Sequence, residues 1–307
     1  MQITLIGLDN TSVSLGLALK AVLPDAQLVG NDRDRDRVKA ATKAGAIDKG
    51  HWNLLNACDG ADIVLINEPL AQVETDLAAL ATELPARAVV MVVSATQRAV
   101  QRLLSELTMT AVCLGCRFVA RGLSNAAAPD GQLLQGALCY IVAAPSAPPD
   151  AVQVAINLAE AVGARPCFLD AEEHDGLTAA TEQLPQLLAL ALLQTLLHAE
   201  AQRDLQRAVS PGLQALSDLL PTPESVHELA ANSDNLPHWL DQCAAALREL
   251  GLRVRQGDTE GLASAARQAH DALAAWGQGD EPPTTEAPTG LGLRQLLLGE
   301  RRKGRRS

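Results

Sequence analysis

The chain has 307 residues, of which 48% are hydrophobic and 20% charged, with a formal net charge of −11. That length holds two domains of ordinary size, and the acidic balance argues against a general nucleic-acid binder, whose phosphate contacts need Lys and Arg. Aromatic residues make up only 2%, too few rings for base stacking, so the cores must be built from Leu, Ala and Val.

No apolar run reaches the roughly 18 residues needed to cross a bilayer, and "MQITLIG" has no basic region ahead of an apolar stretch. No membrane span, no signal peptide and a cytoplasmic location are therefore expected. In chain order, "QITLI" (2–6) reads as a strand, 11–22 as a helix with Leu15, Leu19 and Val22 inward, and "AQLVGND" (26–32) as a second strand. "RDRDRVKAATKAG" reads as a charged helix capped by Gly45. "ADIVLIN" (61–67), "RAVVMVV" (87–93), "TAVCLG" and "LCYIVAA" follow as strands, with Pro69 opening a helix. "APSAPPDAVQVAINLAEAVGARPCFLD" adds a further helix and a closing strand. Strands that are apolar throughout, alternating with helices, imply a doubly wound parallel α/β sheet covered on both faces. After Asp170 the pattern turns helical, with no convincing strand up to about Trp276. Residues 278–307 read as a disordered Pro-, Thr- and acid-rich linker and a basic tail, "RRKGRRS", which is either a solvated end or a short amphipathic helix for an acidic partner or anionic lipid.

The first turn lies where a dinucleotide fold carries Gly-x-Gly-x-x-Gly: one glycine for the turn, one for close approach of the diphosphate, one for helix packing. The corresponding residues are Gly7, Asp9 and Ser12. Asp9 puts a carboxylate where the diphosphate belongs. Two unit charges 4 Å apart repel by about 1 kcal/mol in water and about 4 kcal/mol at an effective dielectric near 20. A helix N-terminus returns only about 0.3–1 kcal/mol per charge. Asp9, Asn10, Thr11 and Ser12 are all good N-cap types, so the helix start reads as self-capped. Asp32, at the end of the second strand, suits an adenosine ribose, and Arg33 after it suits a 2′-phosphate; alternatively both belong to a charged helix start. Cofactor contacts, if made, are therefore expected at Gly7, Asn10, Thr11, Ser12, Asp32 and Arg33. Cys113 and Cys116, in "CLGC", are either a redox or metal pair or two small apolar residues of a buried strand; with no second Cys/His pair nearby, no metal site is expected.

Several stretches together resemble the prephenate and arogenate dehydrogenase family over residues 1 to about 276: "IGLDNTSVSLGLALK", "VGNDRDRDRVKAATKAGAID", "ADIVLINEPL", "GQLLQGALCYIVAAP", "EEHDGLTAATEQLPQLLALAL" and "PESVHELAAN", with Val226 in a Trp place and Asn232 kept. The resemblance implies a Rossmann-like dinucleotide-binding domain over 1–169 and an all-helical substrate and dimerisation domain over 170–277. It further implies a homodimer, NAD or NADP as cofactor, and oxidative decarboxylation on the way to tyrosine. At the family's working positions the chain departs. The Gly-His-Pro histidine is replaced by Arg117 or Cys116, and the Asp-x-Gly-Ser-x-Lys segment is "VVSATQ", with Ala95 and Gln97 in the serine and lysine places and Ser94 one step off. Ser-His-Leu-Pro-His appears as Glu182, Gln183 and Gln186 around "LP". The Arg-Asp-x-Thr-Arg segment is "QALSD", Gln214 to Asp218. A dicarboxylate needs fixed cations, and a proton needs a base; neither is supplied at those places.

Two functions are therefore weighed. One is a family dehydrogenase; the other is a non-catalytic pseudoenzyme that keeps the fold as a regulatory, scaffold or ligand-binding dimer. The remaining catalytic candidates are His174, which matches a family position in "EEHD" or else is a cap or surface residue, and Arg117. With Arg121, Arg117 is placed to clamp a small anion at the sheet's carboxyl edge, or else is solvated.

Overall fold

The computed structural model describes residues 1–120 and 128–276. Arg121, the linker and the basic tail lie outside the described residues. Packing divides the described chain into two compact units, Met1–Ser233 and a second beginning at Asp234.

The first unit is built on one sheet of eight strands: β1 (Gln2–Ile6), β2 (Gln27–Asn31), β3 (Lys49–His51), β4 (Ile63–Ile66), β5 (Val89–Val93), β6 (Val112–Val119), β7 (Leu138–Val142) and β8 (Arg165–Phe168). Their order is β3-β2-β1-β4-β5-β6-β7-β8. Every pairing is parallel except β6 with β7, which is antiparallel. The sheet is thus the expected doubly wound, mostly parallel one, with β7 alone reversed among the described strands. An apolar run carries no mark of its direction, so β7 could not be oriented from its residues. The edge strand β3 was also missed, because "KGH" is short and polar and lies on the sheet's rim.

Helices α1 (Asn10–Val22), α2 (Arg35–Ala44), α3 (Leu54–Cys58), α4 (Leu70–Leu80), α5 (Gln97–Glu106) and α6 (Pro149–Ala161) alternate with the strands. Strand residues alternate between the two faces. Ile63, Leu65 and Met91 join Val13, Leu19, Val154 and Leu158 of α1 and α6 in one core. Val64, Ile66, Val90 and Val92 join Val73, Leu77 and Val100 of α4 and α5 in the other. Gly45 ends α2 in the left-handed conformation, as its position implied.

The same alternation separates the two cysteines of "CLGC". Cys116 lies in the first core and Cys113 packs against the second, on opposite faces of β6. They cannot act as a pair, and burial pushes both thiols up to about 12. Of the two readings, buried apolar filler is the one that fits.

From Asp170 on, the described chain is helical. The sheet unit continues through α7 (Ala171–Thr178), a π-turn at Ala179–Gln183, α8 (Leu184–Leu197), α9 (Gln202–Arg207), α10 (Pro211–Gln214), a 3-10 turn at Ala215–Leu219 and α11 (Val226–Ala231). The second unit contains α12 (Leu236–Gln256) and α13 (Thr259–Trp276), joined at Gly257. No described helix is long and apolar enough to cross a membrane.

Candidate functional site

The carboxyl ends of the parallel strands, where open α/β sheets bind ligands, carry the charged groups. At the first turn Gly7 has φ +79°, and a Cβ there would fall 2.1 Å from the Asn67 carbonyl oxygen. Only glycine fits. Asp9 is the N-cap of α1: its Oδ1 accepts from the Ser12 amide at 2.8 Å and from Asn67 Nδ2 at 2.9 Å. Asn67 Nδ2 also donates to Ser12 Oγ at 2.9 Å. Asn10 and Thr11 form the first turn of α1, and the Asn10 carbonyl accepts from Ser14 Oγ at 2.7 Å. The Asp9 carboxylate therefore occupies an amide of the first turn, as the run of cap-type residues implied.

Asp32 is buried beside this turn. It accepts from the Leu8 amide at 2.8 Å and the Asp34 amide at 2.7 Å, and Arg37 lies 3.7 Å away. Arg33 turns to α4, pairing with Asp76 at 3.2 Å and with Gln72. Gly7, Asn10, Thr11, Ser12 and Asp32 are thus gathered at one place, while the Arg33 side chain is tied to α4. Glu68, in the turn after β4, was not singled out from the sequence. Burial, with Asp76 and Asp32 nearby, raises its carboxyl to about 7 against the opposing pull of Arg33 and Arg37.

A second polar group lies at the ends of β5, β6 and β7. The N-terminus of α5 is held by Asp175 of α7, whose carboxylate accepts from the Gln97 amide at 2.6 Å and the Arg98 amide at 3.0 Å. The Asp175 carboxylate also meets His174 Nδ1 at 3.0 Å. His174 is fully buried and packs edge-on against Tyr140, with ring centroids 5.8 Å apart. The surface or cap role weighed for His174 is thereby corrected: Asp170 is the cap of α7, and the pairing with Asp175 draws the imidazole inside. Gln97, in the family's lysine place, is also fully buried. Its Nε2 donates to the Ser94 and Cys116 carbonyls, both at 3.0 Å, fastening α5 to β6. That approach needs Gly115, where a Cβ would lie 1.8 Å from Gln97 Oε1.

Arg117 of β6 pairs with Glu182 of the π-turn. π-turns are frequent at functional sites. Burial works against the Arg117 charge, but Glu182, Glu228 and Asp9 overcome it and hold the guanidinium above its ordinary value. Glu228 of α11 accepts from Ser94 Oγ at 3.3 Å, and its own carboxyl is raised, first by burial and then by Glu182. Arg117 and Tyr140 are direct cross-strand partners, so both sequence candidates, Arg117 and His174, meet around Tyr140. Asn232 is buried, its Nδ2 donating to the Asp175 carbonyl at 2.9 Å and Gln183 Oε1 at 2.7 Å. Gln214, Asp218 and Val226 are exposed. No group of three or more His, Cys, Asp or Glu among the described residues could hold a metal ion.

Comparison with known proteins decides the family. Residues 15–167 match the model of the prephenate dehydrogenase nucleotide-binding domain, and residues 170–268 that of the prephenate dehydrogenase dimerization domain. The chain belongs to the prephenate dehydrogenase family. It is 23% identical over 266 residues to the prephenate dehydrogenase of Bacillus subtilis (strain 168), covering 85% of this chain and 72% of that one. The fold matches the prephenate dehydrogenase of Aquifex aeolicus, solved with hydroxyphenyl propionate and NAD+, at 16% identity with a TM-score of 0.76, over 90% of this chain and 98% of that one. It also matches Synechocystis arogenate dehydrogenase at 18% identity with a TM-score of 0.66, over 90% and 100% of the two chains. At such identities the structural likeness speaks for the fold alone.

Proposed function

We propose that this chain is a prephenate dehydrogenase-family protein that has given up the family's reaction and serves as a non-catalytic, homodimeric ligand-binding or regulatory protein. The observation that carries the reading is the Asp9 carboxylate seated on the Ser12 amide at 2.8 Å. A diphosphate would have to displace an internal anion from the helix N-terminus it needs, then remain beside that anion's charge. The residues present therefore do not fit a dinucleotide's diphosphate. The pattern repeats at α5, where Asp175 fills two amides. The cation in the crevice, Arg117, is paired with Glu182 rather than open to a substrate carboxylate. The expected anion clamp is thus half-answered at Arg117, and Arg121 lies outside the described residues. His174 does not supply the missing base. It is fully buried and hydrogen-bonded to Asp175, out of reach of a substrate hydroxyl. The homodimer is supported by the match to the family's dimerization domain.

The competing reading is an NAD- or NADP-dependent oxidoreductase of the family. Asp32 favours it. Its carboxylate sits beside Gly7 with two amides bound, and a carboxylate has about four acceptor sites, which leaves room for ribose hydroxyls. Thermal melting with NAD+ and with NADP+ separates the two. Ligand at 100 times its dissociation constant stabilises by about 2.7 kcal/mol. No shift with either nucleotide, and no growth of absorbance at the nicotinamide band with prephenate or arogenate, is the expected result. A shift followed by turnover would establish the dehydrogenase instead. Light scattering should give twice the chain mass at micromolar concentration.

A further inference from the structure

From β1 the chain runs outward to β2 and β3, then returns to β4 on the other side of β1. The carboxyl ends of β1 and β4 therefore flank the point where the strand order reverses, which is where open α/β sheets take their ligands. Here that point is bridged by the chain's own side chains. The first bridge starts at Asn67, directly after β4. Its backbone is anchored: the amide donates to the Ile6 carbonyl at 2.8 Å, and the carbonyl packs so closely on Gly7 that a Cβ there would fall 2.1 Å away. From this fixed position one Nδ2 group donates to Asp9 Oδ1 and to Ser12 Oγ, both at 2.9 Å. It thus holds the N-cap and the third residue of α1 together.

The second bridge starts from α4. Asp76 Oδ1 accepts from Arg33 Nη2 at 3.2 Å and from Gln72 Nε2 at 3.0 Å, while Gln72 Oε1 accepts from Arg33 Nη1. Arg33 follows β2, so this bridge passes from α4 to the far side of β1. The Asp76 side chain is 6% exposed and that of Arg33 60%. The carboxylate is the fixed end of the clasp, and the guanidinium is the end that solvent reaches. Both bridges leave the 67–76 segment and land on the two segments that border the crevice. Asp9 is exposed, and an N-cap carboxylate with a single partner swings aside when one amide bond breaks. Held by Asn67 as well, Asp9 has to give up two partners, and a hydrogen bond to an ionised acceptor is about twice as strong as a neutral one.

We infer that the 67–76 segment is an autoinhibitory latch: Asn67 locks the Asp9 carboxylate onto the start of α1, and the Asp76–Arg33 clasp closes the neighbouring span, so the crevice opens only when this segment lets go. The inference rests on the reading of Asp9 above and deepens it. Closure becomes a property of the tertiary fold rather than of one side chain. Asn67 is a positioning residue that acts through Asp9. Releasing the latch should therefore admit a diphosphate while Asp9 is still present, and removing Asn67 should matter little once Asp9 is gone.

The test uses the full chain, the Asn67→Ala and Asp76→Asn variants, their double variant, and Asn67→Ala combined with Asp9→Gly. Amide hydrogen exchange reads the closure itself: the Ser12 amide should exchange at least tenfold faster in Asn67→Ala than in the parent. Calorimetric titration with NAD+ and with inorganic pyrophosphate reads the opening. NAD+ or pyrophosphate should bind the double variant and not the parent, a gain that mere loss of stability does not produce. In the Asp9→Gly background, Asn67→Ala should change NAD+ affinity less than threefold, because the group it positions is absent. Asn67 is half-buried, so Asn67→Ala carries the exchange test and the cycle if the double variant does not fold. Unchanged Ser12 exchange, no probe bound by a folded double variant while Asp9→Gly binds NAD+, or a tenfold effect of Asn67→Ala in the Asp9→Gly background would each overturn the latch and leave the reading of Asp9 standing. NAD+ binding to the parent, or none to Asp9→Gly, would refute that reading and the latch with it.

Discussion

The interior of the sheet is buried and its carboxyl edge is partly open to solvent, and they are held by different physics. Inside, Ile63, Leu65 and Met91 face one core and Val64, Ile66 and Val92 the other. Such cores ask for apolar side chains of about the right volume, and many sequences satisfy that. At the edge, Asp9, Asp175 and Glu228 each meet specific amides or hydroxyls, and a change of type leaves a partner unpaired. The family architecture therefore persists at 23% identity, while the strand ends are held by these residue-specific contacts. A fold survives loss of its site because packing does not consult the site.

Substitutions can sharpen this contrast. The largest effect is expected at Asp175→Ala, which strands two α5 amides and His174 Nδ1 in the interior. A loss of about 3–5 kcal/mol is predicted, read as a lower urea midpoint, against about 0.5–1.5 kcal/mol for Ile66→Val in the core. Equal losses would dissolve the distinction. Next comes Gly7→Ala, where positive φ and the Asn67 carbonyl at 2.1 Å from the added Cβ should cost about 1–3 kcal/mol. Asp9→Ala removes a cap at about 0.5–2 kcal/mol, whereas Asp9→Gly should cost only a few tenths; a larger loss with Gly than with Ala would contradict the capping assignment.

The smallest effect is a pH slope. The Glu68 carboxyl is raised from its ordinary 4.5 to about 7. The folded state then holds its proton more tightly than the unfolded chain, so stability is greatest near and below pH 4.5 and falls as pH rises towards 7. Asp76 and Glu228 are raised too and add to the same slope. Glu68→Gln should flatten the decline in melting temperature over that window, and an unchanged slope would show that Glu68 ionises normally.

Much of the architecture was legible because periodicity and turn chemistry are local. Gly7, the cap-type run from Asp9 to Ser12, Gly45 and the apolar strands each announced their roles within a few residues. What stayed hidden depends on distance along the chain. Asp175 caps a helix that begins at Gln97, and Glu228 reaches Ser94 from α11; nothing within "HDG" or "VHELAA" points to such partners. Asp175 could have been suspected as the neighbour of His174, and Glu228 as lying between Val226 and Asn232 in the motif that matched. The burial of His174 was misjudged because its compensating carboxylate sits beside it and reads from sequence as one more polar residue. The reversed direction of β7 was illegible in principle.

The central claim is that a carboxylate fills the anion seat at the start of α1. Calorimetric titration of NAD+ into the parent chain and into Asp9→Gly tests it most directly. The account predicts no detectable heat with the parent and measurable binding once the carboxylate is removed. Micromolar binding to the parent, unchanged by Asp9→Gly, would contradict it.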